Sequence, residues 1–151
     1  MGLKETLQAD LTEAIRSRNE LTSGTIRMLL AAIQVEEVAG KEARTLKDDE
    51  IIKVLSREAK KRREAADAYK DAGRADKAEQ EAKEGEVILK YLPAQLSEDE
   101  IKKIVADAVA EAGATTPQQM GQVMKIVQPK VAGKADGALV SSLVKSALGA
   151  N

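Results

Sequence analysis

The side chains of this 151-residue chain that are able to do chemistry are its lysines, arginines, serines and carboxylates; histidine and cysteine do not occur. Their absence removes the usual general base near neutral pH, the thiolate nucleophiles and soft metal ligands, and any Ser-His-Asp arrangement. Ser142 and Lys145 match S-x-x-K, a nucleophile motif of some acyl-transfer enzymes, but the companion motifs are missing. A solvent-facing serine and lysine on an amphipathic helix account for the pair. Gly133-Lys134 falls short of a phosphate-binding loop, because Gln128 stands where the upstream glycine belongs and Ala135 follows the lysine. Asp48, Asp49 and Glu50 read as acids at the positive end of a helix rather than as a metal cluster. No metal and no cofactor is expected.

What remains is positive charge and its placement. The formal net charge is -1, so nothing draws the whole chain toward nucleic acid. Residues 113–151, however, carry Lys125, Lys130, Lys134 and Lys145 against Asp136 alone. Within the stretch MGQVMKIVQPKVAGKADGALV, Lys130 and Lys134 flank a loop holding Gly133 and Gly137 and leading into a helix start. Free backbone N–H groups there would cradle a phosphate. The alternative is a plain glycine–lysine turn in which Asp136, as N-cap, satisfies those donors and repels an anion.

The densest basic run is Lys60 to Arg63. On a helical wheel Lys53, Arg57, Lys60 and Lys61 form a stripe opposite the apolar face. That stripe either meets phosphates or keeps the helix soluble, with Glu58, Glu64 and Asp67 at ion-pair spacing. Arg62 instead falls inside the apolar face with Leu55 and Ala66, and an arginine there needs an acid. If Gly73 turns an antiparallel hairpin, Glu81 or Glu84 supplies it. With two tyrosines and no Phe or Trp, base stacking cannot carry RNA affinity, so any RNA contact should follow backbone shape and weaken with salt.

The elements that must position these residues read as helices throughout. Leu3, Leu7, Leu11, Ala14 and Ile15 recur at helical spacing. A second helix, capped by Thr22, Ser23 or Thr25, carries Ile26, Leu29, Leu30, Ile33 and Val38, with Met28 and Val35 on its other side. It is expected to lie between neighbours and to stop near Gly40. A third starts near Thr45–Asp48, runs on Ile51, Ile52, Leu55, Ala59, Ala66 and Tyr69, and ends at Gly73. A fourth carries Ala78, Ala82, Ile88 and Leu89 around Gly85. Pro93 then bars regular helix. Ser97 and Glu100 form a capping box before Ile101, Ile104 and Val105, and Gly113 closes that helix. Thr116-Pro117 starts a short helix expected to stop before Pro129, and Asp136 caps the last.

The chain is therefore expected to be all-α: about four longer helices in residues 1–90, a Pro-containing linker at 91–96, and three short helices in 97–151. Residues 2–19 alternate charged and apolar residues, unlike a signal peptide. No run approaches the roughly 18 apolar residues of a membrane span. A soluble cytoplasmic protein is expected.

The segments YLPAQLSEDEI, MGQVM, PKVAGKADG and LVKSAL resemble the GatB/YqeY family, and IRMLLAAIQVEE, VLSREAKKRREAADAYKDAGR and AKEGEVILKYLP agree with it, in order, over nearly the whole chain. The chain is similar to the stand-alone YqeY type, a helical domain followed by a small helical tail domain. In the larger family that tail ends the B subunit of the glutamine-dependent tRNA amidotransferase, where the resemblance implies that it helps to hold tRNA. Nothing here matches the segments that carry out amidation, although family membership alone would attach the label of a carbon–nitrogen ligase with glutamine as amido donor. The resemblance implies tRNA, or amidotransferase subunits, as partners. A helical protein-interaction module without RNA function is the alternative, and an enzyme acting on glutamine by itself has no residues here to support it.

Overall fold

The computed structural model describes residues 2–149; the outer ends of the two expected domains, residues 1 and 150–151, lie outside them. Among the described residues the chain is all-helical, with seven α-helices, one short 3-10 turn at Pro117–Gln119 and no strand. They are α1 (Leu3–Arg16), α2 (Glu20–Glu37), α3 (Asp48–Asp71), α4 (Ala75–Leu89), α5 (Glu98–Ala112), α6 (Met120–Val131) and α7 (Gly137–Ala147). The chain divides into two compact units, the first ending at Leu92 and the second starting at Pro93.

In the first unit α1–α4 enclose an aliphatic core of Leu7, Ile26, Leu29, Ile33, Leu46, Ile51, Val54, Leu55 and Ile88. Tyr91 and Leu92, expected as linker, pack against that core. The turn between α1 and α2 is tight: Arg18 sits at φ +58°, and Asn19 accepts the Thr22 N–H at 3.1 Å. Asn19, rather than Thr22, Ser23 or Thr25, is thus the N-cap of α2. Those three lie inside the first turns, where Ser23 and Thr25 turn their hydroxyls back to the carbonyls of Glu20 and Leu21.

Helix α2 ends at Glu37, before Gly40. The buried Glu37 side chain takes the Leu46 N–H at 3.1 Å and Lys4 Nζ at 2.8 Å, while its carbonyl takes the Arg44 N–H at 2.9 Å. One residue therefore folds the 38–47 connection back on the helix end. Val35 and Val38, expected between neighbours, are 66% and 59% exposed. The core is filled from the Ile26, Leu29 and Ile33 side, and Met28 is partly buried against it as expected, so only the Arg27, Ala31 and Val35 stripe of α2 is left in water.

Helix α3 begins with three acids, and the Lys47 N–H is bonded to Glu50 Oε1 at 3.2 Å. Asp48 also accepts the Leu3 N–H at 3.0 Å and so caps α1. Gly73, at φ +76°, turns α3 into α4. Beyond Ala59 no residue of this helical hairpin is buried until Val87.

The second unit is built from α5–α7 around Ile101, Val105, Ala108, Ala114, Val123, Val127, Val131, Val140, Val144 and Leu148. The Ser97–Glu100 capping box forms in both directions, at 3.1 and 3.3 Å. Gly113 closes α5 in the left-handed region. Gln119 Oε1 accepts the N–H groups of Thr115 and Thr116, fixing the entry to α6. Pro129 does not stop α6, which continues to Val131. The proline removes one hydrogen bond, to the carbonyl of Lys125, but both residues lie on the exposed side, where water can take that carbonyl. Leu96 packs against this core, and its N–H is bonded to the Lys134 carbonyl at 2.9 Å.

Candidate nucleic-acid interface

α5 carries Lys102, paired with Glu98 at 3.6 Å, and Lys103, and the lysines of residues 113–151 stand in three further places. Lys125 and Lys130 stand on α6, Lys134 in the loop after it, and Lys145 in the last turn of α7. Lys125, Lys130 and Lys145 are exposed and Lys134 is half-exposed. Among the described residues none of the four makes an ion pair, whereas the cations of α3 are mostly engaged.

The loop that carries Lys134 is held by backbone geometry and by the Gln95 side chain. Gly133 adopts φ +72°, a conformation that favours glycine. Its carbonyl accepts Gln95 Nε2 at 2.9 Å, and that amide also reaches the Pro93 carbonyl at 2.8 Å. Residues 93–96 therefore clamp the 133–134 turn, and fix where the Lys134 side chain starts. Asp136 caps α7 by accepting the Ala138 N–H at 3.2 Å. A carboxylate already stands at that helix start, so an arriving phosphate is left to the lysine ammonium groups. Gly137 has neither a left-handed φ nor a close neighbour that would bar a side chain.

On α3 the basic stripe is distributed differently. Arg57 pairs with Glu36 at 3.4 Å, Lys60 with Glu64 at 3.9 Å and Lys61 with Glu58 at 3.3 Å. Lys53 is exposed and makes no ion pair among the described residues. Much of the positive charge that the spacing offers is thus neutralised within the first unit.

Arg62 is half-buried on the inner face of the α3–α4 hairpin, with its side chain 21% exposed. Its guanidinium lies 3.5 Å from Glu58 and Glu81 and 3.6 Å from Glu84. One cation thus stands among three carboxylates from two helices. At these separations the attraction is mainly coulombic, and Arg62 Nε and Glu81 Oε2 have no hydrogen-bond partner. Gly85 sits opposite, where an added Cβ would meet Arg62 Cβ at 3.7 Å.

Three polar groups shape the first unit without having been marked by spacing. The Lys4 ammonium, and after it the Leu46 N–H, hold the Glu37 carboxyl below its ordinary value of 4.5. The Arg44 guanidinium and then the Lys47 N–H do the same for Glu50. Tyr91 donates its hydroxyl to Asp10 at 2.6 Å, and burial, followed by that bond, pushes its phenol well above the ordinary tyrosine range. The Lys4–Glu37 and Tyr91–Asp10 pairings are long-range, and a sequence pattern carries no signal for them beyond the presence of the groups, whereas the Glu50 contacts are local.

Ser142 and Lys145 are both exposed, and no hydrogen bond joins them, so the serine has no activating base in this geometry. No group of three or more His, Cys, Asp or Glu residues capable of holding a metal is found among the described residues. Nor is any described helix long and apolar enough to cross a membrane.

The family model of the Yqey-like proteins matches residues 4–148, spanning both units. The protein named "Altered inheritance of mitochondria protein 41, mitochondrial", from Clavispora lusitaniae, is 31% identical over 150 residues, covering 96% of this chain and 86% of that one. An uncharacterized protein of Schizosaccharomyces pombe is 26% identical over 96 residues, covering 64% of this chain and 76% of that one. The match runs through the α3–α4 hairpin, the capping box and the lysine-bearing tail alike, and the chain belongs to the YqeY-like family.

Proposed function

We propose that this protein is a non-catalytic accessory protein that binds tRNA through the sugar–phosphate backbone, in association with glutamine-dependent tRNA amidotransferase. The observation that carries this reading is the set of tail lysines, Lys125, Lys130, Lys134 and Lys145, which have no acid partner among the described residues. The only acid in residues 113–151, Asp136, is spent on capping α7. Unpaired ammonium groups on a rigid helical unit suit backbone phosphates, whose neutralisation releases counterions. The clamped 133–134 turn gives Lys134 a fixed origin, so that spacing along an RNA backbone can be read. The association with an amidotransferase rests on the likeness of the tail to the end of that enzyme's B subunit.

Binding of an unmodified tRNA, followed by fluorescence anisotropy across a salt series, tests the proposal. Four phosphate contacts correspond to a slope of about −3 in log affinity against log salt, or roughly a hundredfold loss between about 50 and about 200 mM. The double variant K130A/K134A is expected to flatten that slope by between about 1 and 2. Equal affinity and slope in both proteins would exclude the tail lysines as the contact. A helical protein-interaction module is the second reading, and the exposure of Val35 and Val38 favours it.

A further inference from the structure

The outer face of α2 carries an apolar stripe that its own unit leaves bare. Arg27, Ala31 and Val35 follow at four-residue spacing and so share one side of the helix, with Val38 three residues on. Among the described residues Val35 and Val38 are more exposed than the other outward-facing large aliphatic side chains, Ile15 and Leu89. Beside Val35 a shallow groove of about 330 Å³ opens between α2 and α3, with Ala32 and Val54 at its floor and Arg57 and Lys61 along its α3 side.

The charge around this stripe has a sign. The two acids of the groove, Glu36 and Glu58, are already taken by Arg57 at 3.4 Å and by Lys61 and Arg62 at 3.3 and 3.5 Å. Lys53, one turn before Arg57 on the same stripe of α3, and Arg27, at the far end of the α2 stripe, are exposed and unpaired among the described residues. The border therefore keeps an excess of positive charge around an aliphatic centre.

We infer that this face docks an acidic amphipathic helix of a partner protein. Its aliphatic side chains lie on Val35, Val38 and the groove floor, and its Asp and Glu side chains face Arg27 and Lys53, the border cations without an ion pair among the described residues. A helix laid into such a groove anchors through residues at i, i+3 or i+4 and i+7, and Ala31, Val35 and Val38 present the matching rhythm. RNA would use the cations alone: bases find no aromatic surface here, and two exposed valines add nothing to a phosphate contact. This face lies on α2 and α3 of the first unit, and the tail lysines belong to the second.

The test is titration of the full chain with a labelled synthetic peptide of about five helical turns made of Leu and Glu with one apolar face. The comparison peptide has the same composition, shuffled so that no face is apolar. Saturable binding is expected, at least about tenfold tighter for the amphipathic peptide. V35S, which removes aliphatic surface and no charge, should weaken it about tenfold. R27A/K53A should weaken it and reduce its salt dependence, and I15S, at an exposed aliphatic residue of α1, should leave it unchanged. Equal binding of the two peptides, no saturable binding, or indifference to V35S overturns the inference. So does a tRNA whose affinity falls in R27A/K53A but not in V35S, an outcome that would make the face an RNA surface.

Discussion

Replacing Arg62 by methionine keeps most of the side chain's volume and removes its charge, leaving Glu58, Glu81 and Glu84 facing one another across the α3–α4 hairpin. Breaking a fully buried ion pair by removing one partner costs about 3–5 kcal/mol, whereas a surface pair is worth about 0–1 kcal/mol. Arg62 stands between these limits: its side chain is 21% exposed, and its three contacts are 3.5 to 3.6 Å long. Screening by the nearby solvent therefore brings the expected loss to about 2 kcal/mol. For a unit of this size that lowers the melting temperature by about 10 °C. The assay is urea and thermal unfolding followed by tyrosine absorbance, because Tyr69 and Tyr91 both precede Pro93 and report the first unit alone. Far-UV circular dichroism on the same samples reports helices of both units. Adding E81Q and E84Q to R62M should restore more than half of the loss, since it removes the stranded charges. A wild-type midpoint for R62M, or a triple variant as unstable as R62M, would refute the reasoning.

Three further outcomes follow from local geometry. Gly85→Ala should stabilise the first unit by about 0.5–1 kcal/mol in denaturant titration, because the added Cβ meets only Arg62 Cβ at 3.7 Å and a mid-helix glycine is costly in chain entropy. Arg18→Gly should stabilise by about 1 kcal/mol, since Arg18 sits at φ +58° and glycine bears that conformation freely. Glu37 has a folded-state pKa below its ordinary 4.5, so its contribution is full above that pH and is lost as pH falls toward the lowered value. Glu37→Gln should accordingly destabilise the protein at neutral pH and flatten the acid limb of its stability curve, as measured by urea midpoints across an acid pH series.

Much of the fold was legible because its signals are local. Gly73 and Gly113 mark turns at which a left-handed backbone is required, and the Ser97–Glu100 box needs only its own four residues. Legibility failed where a partner far along the chain decides. The cap of α2 is Asn19 because the chain leaves α1 through Arg18, and the end of α2 is set by Glu37 reaching Leu46, nine residues on. Pro129 stays within α6 because its missing bond falls on the exposed side, and helical spacing reveals a face but not what covers it. Charge was legible where the partner is local: Glu64 and Glu58 stand at pairing spacing from Lys60 and Lys61, and the structure forms both pairs, which sets these lysines apart from Lys125 and Lys130. The exposed Val35 and Val38 were readable as apolar, but their lack of a neighbour was not.

If the unpaired lysines of residues 113–151 hold an RNA backbone, the affinity for tRNA depends on them and on salt together. The most direct measurement is the salt slope of tRNA affinity for the wild type beside a protein with Lys125, Lys130, Lys134 and Lys145 all changed to alanine, with helix content checked by circular dichroism. The account predicts a slope near −3 for the wild type and close to zero for the fourfold variant. Parallel slopes of equal magnitude, in two proteins that are equally folded, would contradict it.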